Sequence, residues 1–331
     1  MKALVLQGRG FEGLRITDVP RPKPGPGEVL VRLEAAALNH RDLWTIAGRG
    51  SSGRPAILGS DGAGTVVEVG PDVPDITSSE VVINPSLNWP GDRRVPPESF
   101  EILGFPTDGT LAEYIVISGE NVEPKPAYLS WEEAAALPLS ALTGYRALFV
   151  EGMLQPGETV VIPGAGGGTA LQTFQLALAA GARTVVTSRG AAKRERLTQM
   201  GADLVVSSET AWSDEVREFT GGKGADVVAE SVGAATWEQS LRALARGGRL
   251  VVYGSTSGDL VNVELPPFFL SWQSIRGTTM GSQKEFRDML RFVEERRITH
   301  VVDRVFSLDE GIDALRYLES GQQFGKVVLK M

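Results

Sequence analysis

The chain has 331 residues, long enough for two domains of ordinary size. With 42% hydrophobic and 22% charged residues, it has the composition of a folded protein rather than a disordered one. Its net charge of −8 argues against nucleic acid or an anionic membrane as a partner, and the lack of any cysteine excludes disulfides, thiolate metal ligands and cysteine nucleophiles.

The opening residues, "MKALVLQGRGFEGLRI", carry a short apolar run broken by glycine and charge, unlike a signal peptide. No run of about 18 apolar residues follows, so no membrane span is expected and the cytoplasm is the expected compartment. "VPRPKPGPGEV" is a proline-rich, extended entry. "GEVLVRLEAAAL" from Gly27 and "GAGTVVEVG" from Gly62 are β-branched, alternating runs bounded by glycine and proline, and "TLAEYIVISGENVEPKP" reads as a further strand pair. The first third therefore predicts a compact antiparallel barrel.

The pattern changes at Ser130, where Glu133 three residues later makes a capping box ahead of "AAALPLSALTGYRALF". Strands and helices then alternate. "ETVVI" leads into a glycine turn, and "TALQTFQLALAAGA" is a helix with Leu171, Phe174 and Leu178 on one face, stopped by Gly181. "RTVVTS" is a strand. Helix 191–200, strand 204–207, helix 211–220, strand 225–230, helix 236–245 and strand 249–254 follow. Such alternation predicts a doubly wound parallel sheet, so the fold class is α/β. The tail predicts a helix from Lys284, a strand at Val301, a helix at Leu308 and a last strand "GKVVLKM".

"VVIPGAGGGTALQ" has the setting of a dinucleotide turn. A strand enters, Gly164, Ala165, Gly166, Gly167 and Gly168 form the turn, and Thr169 starts the helix. Glycines let the backbone approach a pyrophosphate, and a helix N-terminus offers free N–H groups. The strict Gly-x-Gly-x-x-Gly spacing is absent; its nearest register falls on Ala165, Gly167 and Ala170. An acid holding the ribose 2′-hydroxyl of NADH belongs about 20 residues on. Here stand Ser188, Arg189 and Lys193, a hydroxyl and two cations that suit a 2′-phosphate, so NADPH is expected over NADH.

"GEVLVRLEAAALNHRDL", "ILGSDGAGTVVEVG", "DGTLAEYIVI", "LPLSALTGYRALF", "GAGGGTA", "GADVVAESVG", "GGRLVVYGSTSG" and "FGKVVLKM" occur in that order. Together they resemble the medium-chain dehydrogenase/reductase superfamily over essentially the whole chain. The resemblance implies a GroES-like barrel catalytic domain (1–138 and 281–331) and a Rossmann domain (139–280), with a cleft between them. Zinc alcohol dehydrogenases in that superfamily hold catalytic zinc with Cys, His and a second Cys. By motif these fall on Asn39, Ser60 and Leu139, and the acid after the His falls on Asp61. The segment from Asn84 to Asp108 lies where those enzymes carry a four-cysteine structural lobe, and it holds no cysteine. Neither zinc site is therefore expected to bind metal.

"NHRD" resembles instead the matching segment of zinc-free members similar to quinone reductases. The resemblance places Asn39 and Asp42 at the nicotinamide pocket, Trp44 toward substrate, and Ser60 and Asp61 at the vacated metal position. Asn39 is expected as an amide donor, Asp42 as an orienting acid and Asp61 as a candidate proton donor. His40 has no catalytic counterpart by this match and is expected to be a packed or surface residue, with a proton-relay role as the alternative. Thr143 matches a position near the nicotinamide, and Lys326 a basic position that meets the pyrophosphate. Ser231 and Val232, then Gly254 and Ser255, follow strand ends that bind cofactor, and Thr278 and Met280 border the nicotinamide.

Without a metal, hydrogen-bond donors must polarise the acceptor oxygen. A quinone or enone already spreads its developing charge, so it is the favoured substrate. The expected activity is zinc-independent, NADPH-dependent hydride transfer to a quinone or α,β-unsaturated carbonyl. The alternatives are an alcohol dehydrogenase-like carbonyl reductase and a non-catalytic NADPH-binding protein. "LSWQSIRGTTM" contains the strand that pairs across a two-fold axis in the family, so a homodimer or a tetramer of dimers is expected.

Overall fold

Strands dominate the N-terminal third because β-branched runs there alternate between two faces. The computed structural model describes residues 1–48, 54–73 and 76–331. It divides into two units: Met1–Leu139 with Gly281–Met331, and Ser140–Met280.

In the first unit, β1 (Lys2–Leu6), β2 (Leu14–Asp18) and β3 (Glu28–Ala37) lead to α1 (His40–Ile46). Next come β4 (Ala56–Ile57), β5 (Asp61–Val69) and β6 (Glu80–Ile83). The short pair β7 (Ser86–Leu87) and β8 (Glu101–Ile102) follows, then β9 (Tyr114–Ser118) and β10 (Val122–Pro124). Helix α2 (Trp131–Ala136) has the expected box: Glu133 N–H donates to Ser130 Oγ and Ser130 N–H to Glu133 Oε2. The apolar run after it is not one helix. It is interrupted at Leu137, and Pro138 heads a second helix, α3 (Pro138–Tyr145), because proline lacks the N–H that an unbroken helix needs. The chain then widens into a π-helical stretch, Arg146–Glu151.

The second unit runs β11 (Thr159–Ile162), α4 (Gly168–Ala179), β12 (Arg183–Ser188), α5 (Ala191–Gln199) and β13 (Leu204–Ser207). It continues with α6 (Trp212–Phe219), β14 (Ala225–Glu230), α7 (Trp237–Ala243), β15 (Leu244–Val252), α8 (Leu265–Leu270) and β16 (Ser274–Gly277). The sheet order is β13-β12-β11-β14-β15-β16 and every pair is parallel. The strand order reverses between β11 and β14, and ligands bind such sheets at the carboxyl ends beside that switch. Val161, Val185, Val228, Leu250, Trp212 and Trp237 share one core cluster.

The tail returns to the first unit as α9 (Gln283–Glu295), β17 (Val302–Ser307), α10 (Gly311–Glu319) and β18 (Lys326–Lys330). β18 lies between β3 and β17 in the order β10-β6-β5-β3-β18-β17. The first third was expected to be antiparallel, and within this unit β17 and β18, from the returning tail, pair in parallel. A parallel pair needs a crossover, and α10 provides it. In the segment 84–108, Trp89 meets Phe100 edge-on at 5.2 Å and donates from Nε1 to Arg93 O, so aromatic packing helps to hold it. No helix among the described residues is long and apolar enough to cross a membrane.

Candidate functional site

The first unit gathers a buried polar cluster at the junction of β3, α1, β5 and β18. Asn39 caps α1, and its N–H donates to Asp42 Oδ2 at 2.8 Å. Asp61 opens β5 and is wholly buried, as its partners permit. Its Oδ1 accepts the Leu139 N–H at 2.7 Å. Its Oδ2 accepts from Asn39 Nδ2 at 2.9 Å and from Lys326 Nζ at 2.9 Å. Lys326 Nζ also donates to Asn39 Oδ1 at 2.6 Å.

A second cation stands beside this ring. Arg41 Nη1 donates to Ser60 Oγ at 2.8 Å and to Leu103 O at 2.9 Å. Burial pulls its pKa down, while Asp42 and Asp61 oppose the shift. Burial pushes the Asp42 carboxyl up to about 6, against Arg41, the Asn39 N–H and Lys326. His40, at the head of α1, is exposed, yet surrounding protein and the Lys326 charge hold its pKa below the usual value. His300 is buried just before β17, and burial lowers its pKa to about 3. Trp44 is partly exposed on α1.

Lys326, expected to meet a pyrophosphate, donates from its ammonium to Asn39 and Asp61. Asp61, a candidate proton donor, accepts from Asn39, Leu139 and Lys326.

In the second unit, the turn after β11 is drawn against β12. Gly164 N–H donates to Thr187 Oγ1 and Ala165 N–H to Thr187 O. Gly164 has φ +70°, and a Cβ there would meet Val232 Cγ2 at 2.8 Å. Gly167 caps α4, and Gly168 and Thr169 begin it. A Cβ on Gly166 would lie 2.7 Å from Lys193 Cδ and 3.6 Å from Ser188 Oγ, so Lys193 and Ser188 sit directly against the turn. Arg194, which pattern reasoning missed, donates from Nη1 to the carbonyls of Ser188 and Arg189 and fixes the end of β12. Its only sequence signal was its place one residue past Lys193.

Glu230, also missed, organises the loop that carries Ser231 and Val232. Its Oε1 accepts the N–H groups of Val232 and Gly233, and its Oε2 the hydroxyls of Thr236 and Ser240. Tyr253 bonds to the Ser231 and Thr173 side chains, and burial pushes its hydroxyl up to about 12. Gly254 approaches Ser231 so closely that a Cβ would meet Ser231 O at 2.8 Å. Ser255 follows and bonds to Asp259. Thr143 Oγ1 reaches Met280 Sδ at 3.9 Å, and Thr278 Oγ1 accepts from Arg146 Nε at 2.9 Å. Arg146 is paired with Glu151 at 3.0 Å, both buried, inside the π-helical stretch. That pair too was invisible to sequence patterns.

The model for the alcohol dehydrogenase GroES-like domain matches residues 25–127, and the model for zinc-binding dehydrogenase matches residues 153–295. The zinc-type alcohol dehydrogenase-like protein YogA of Leptosphaeria maculans is 33% identical, over 98% of this chain and 96% of its own. A crystal structure of an NAD-dependent alcohol dehydrogenase covers both chains fully at 40% identity and a TM-score of 0.94. The 2-octenoyl-CoA carboxylase reductase of a Streptomyces species, in complex with NADP and 2-octenoyl-CoA, is 27% identical over 99% of this chain and 87% of its own, at a TM-score of 0.90. The zinc of the matched description does not fit the donor set here. The motif positions hold an amide, a hydroxyl and an alkyl group, and two cations, Lys326 and Arg41, already meet Asn39, Asp61 and Ser60. Among the described residues no cluster of three or more His, Cys, Asp or Glu could hold a metal ion.

Proposed function

The chain belongs to the medium-chain dehydrogenase/reductase superfamily of NAD(P)-dependent oxidoreductases acting on alcohols or unsaturated carbonyls, and from that membership we propose a zinc-independent, NADPH-preferring reductase of quinones or α,β-unsaturated carbonyls. The observation that carries this reading is the Asn39–Asp61–Lys326 ring, built on one position that resembles a zinc ligand, Asn39, and on the acid beside a second, Asp61. It offers amide and ammonium N–H groups, which suit a delocalised oxyanion better than the concentrated charge of a simple alkoxide.

NADPH would supply the hydride. The glycine turn and the start of α4 would take its pyrophosphate. Ser188, Arg189 and Lys193 would take the 2′-phosphate, in which the Lys193 stem against Gly166 supports the assignment. Asn39 would donate to the acceptor oxygen as charge develops there, with Asp42 holding the α1 cap and Trp44 contributing an apolar wall. Thr143, Thr278 and Met280 would border the nicotinamide, with Arg146 and Glu151 bracing them. Water would deliver the balancing proton.

An alcohol dehydrogenase-like carbonyl reductase is the second reading, favoured by the 40% identity to an NAD-dependent alcohol dehydrogenase. Chelator-treated protein titrated with NADPH and with NADH, followed by nicotinamide fluorescence, tests the cofactor. NADPH is expected to bind at least about tenfold more tightly, and Lys193→Ala to erase most of that difference. Turnover of quinones and enones, with metal content measured on the same sample, tests the acceptor. Preference for a simple aldehyde would favour the second reading.

The active form is proposed to be a dimer built on β16. That strand ends the sheet, and Leu265, Phe269, Leu270 and Trp272 beside it are more than half exposed. A second copy paired edge to edge would cover them.

A further inference from the structure

The Lys326 ammonium carries three hydrogens, and two are committed to Asn39 Oδ1 and Asp61 Oδ2. Asn39 Nδ2 donates to the same Asp61 oxygen, which closes a ring of three groups. Asn39, Asp61 and Lys326 are all buried. The amide is locked by this ring. Turned over, it would set Nδ2 against the ammonium and Oδ1 against the carboxylate. One Nδ2 hydrogen goes to Asp61; the other has no acceptor among the described residues. An ammonium on Oδ1 draws electron density through the amide and makes the remaining N–H a stronger donor.

The charges around the ring are balanced. Lys326 faces Asp61 on β5, and Arg41 and Asp42 lie beside it on α1. Burial first, and the Lys326 charge second, lower the pKa of both His40 and His300. Asp61 therefore presents no bare negative charge to an oxygen that is gaining one.

We propose that Lys326 is the positioning residue for the hydride acceptor, acting through Asn39 to supply the polarisation that a metal ion would otherwise give. The proposal rests on the reading of the chain as a carbonyl or quinone reductase. It assigns Lys326 a role other than pyrophosphate binding.

The test compares wild type, Lys326→Met, Lys326→Arg, Asn39→Ala and the Lys326→Met/Asn39→Ala double variant with NADPH and the best enone or quinone. Lys326→Met is expected to lower kcat by on the order of 10²-fold and to leave NADPH affinity within about twofold. Lys326→Arg keeps the charge and should restore kcat to within about tenfold of wild type. The double variant should lose little more than either single one, because both act on the same donor. Losing Lys326 strands a buried carboxylate, so if Lys326→Met fails to fold, Asp61→Asn/Lys326→Met removes both charges and should show the same kcat loss.

Unchanged kcat with NADPH affinity weakened by about tenfold or more would overturn the proposal and return Lys326 to the cofactor. Arginine failing to rescue a well-folded protein would also overturn it, leaving a structural role. A wild type that binds NADPH but reduces no quinone, enone or aldehyde overturns the functional reading itself, and the proposal with it. That outcome is separate from active wild type with equally active Lys326→Met.

Discussion

Gly166 and Gly325 lie under different constraints, and their substitutions separate cofactor recognition from folding. At Gly166 a new Cβ meets the flexible Lys193 stem, which can swing away. Gly166→Ala is therefore expected to keep the fold and weaken NADPH more than NADH, readable in paired fluorescence titrations. Gly325 has φ +106° and a Cβ there would lie 2.4 Å from Val301 O, a backbone atom that cannot move aside. Gly325→Ala should cost about 2 kcal/mol or more, visible as a lowered urea midpoint, and should disturb Lys326 next to it. Asp42 gives a pH signature. Its folded carboxyl titrates at about 6, above the usual value near 4, because burial disfavours its charge. The folded state thus keeps a proton that the unfolded chain has released, so this residue's contribution is fully present at low pH and is lost as pH rises through about 6. Asp42→Asn should gain stability relative to wild type as pH rises from about 4 to just above 6, in denaturant midpoints measured across that range.

The elements obey local rules where a local rule suffices. Helix α9 begins with Ser282 Oγ accepting the Glu285 N–H while Glu285 Oε2 accepts the Ser282 N–H. Ser282→Ala should cost about 1 kcal/mol, measured as a drop in thermal midpoint with the cofactor affinity intact. The Glu230 loop is held differently, by one buried carboxylate meeting two N–H groups and two hydroxyls from a loop and the following helix. The alternation of apolar residues revealed β14 but gave no hint that its last residue organises the next loop. Capping boxes are written in neighbouring residues. A carboxylate that gathers donors up to ten residues away depends on how the chain turns after the strand.

For the whole molecule, the open edge of the six-stranded sheet is the feature that isolated elements cannot explain. Trp272 is 69% exposed, and Leu265, Phe269 and Leu270 stand near it in sequence. Arg246 stacks over the Trp272 ring at 4.7 Å. A net charge of −8 keeps copies apart in general, so pairing needs this apolar patch to overcome it. Phe269→Asp with Trp272→Ser should shift a dimer to monomer in sedimentation velocity at micromolar concentration. Unchanged mass would mean that the edge is not the interface.

Short-range pattern alone made the alternating strands and helices from β11 to β15 legible, together with the glycine turn and the cations that follow β12, whereas the short helices α1 and α8 carried no such signal. The legible features follow from composition and short-range spacing, which the chain states directly. The partners of Lys326 depend on long-range folding. It brings β18, from the far end of the chain, beside β3 and β5, 265 residues from Asp61 and 287 from Asn39. No spacing rule spans such distances. The ammonium goes to Asp61 because a buried carboxylate must be compensated, and the fold makes that carboxylate its neighbour.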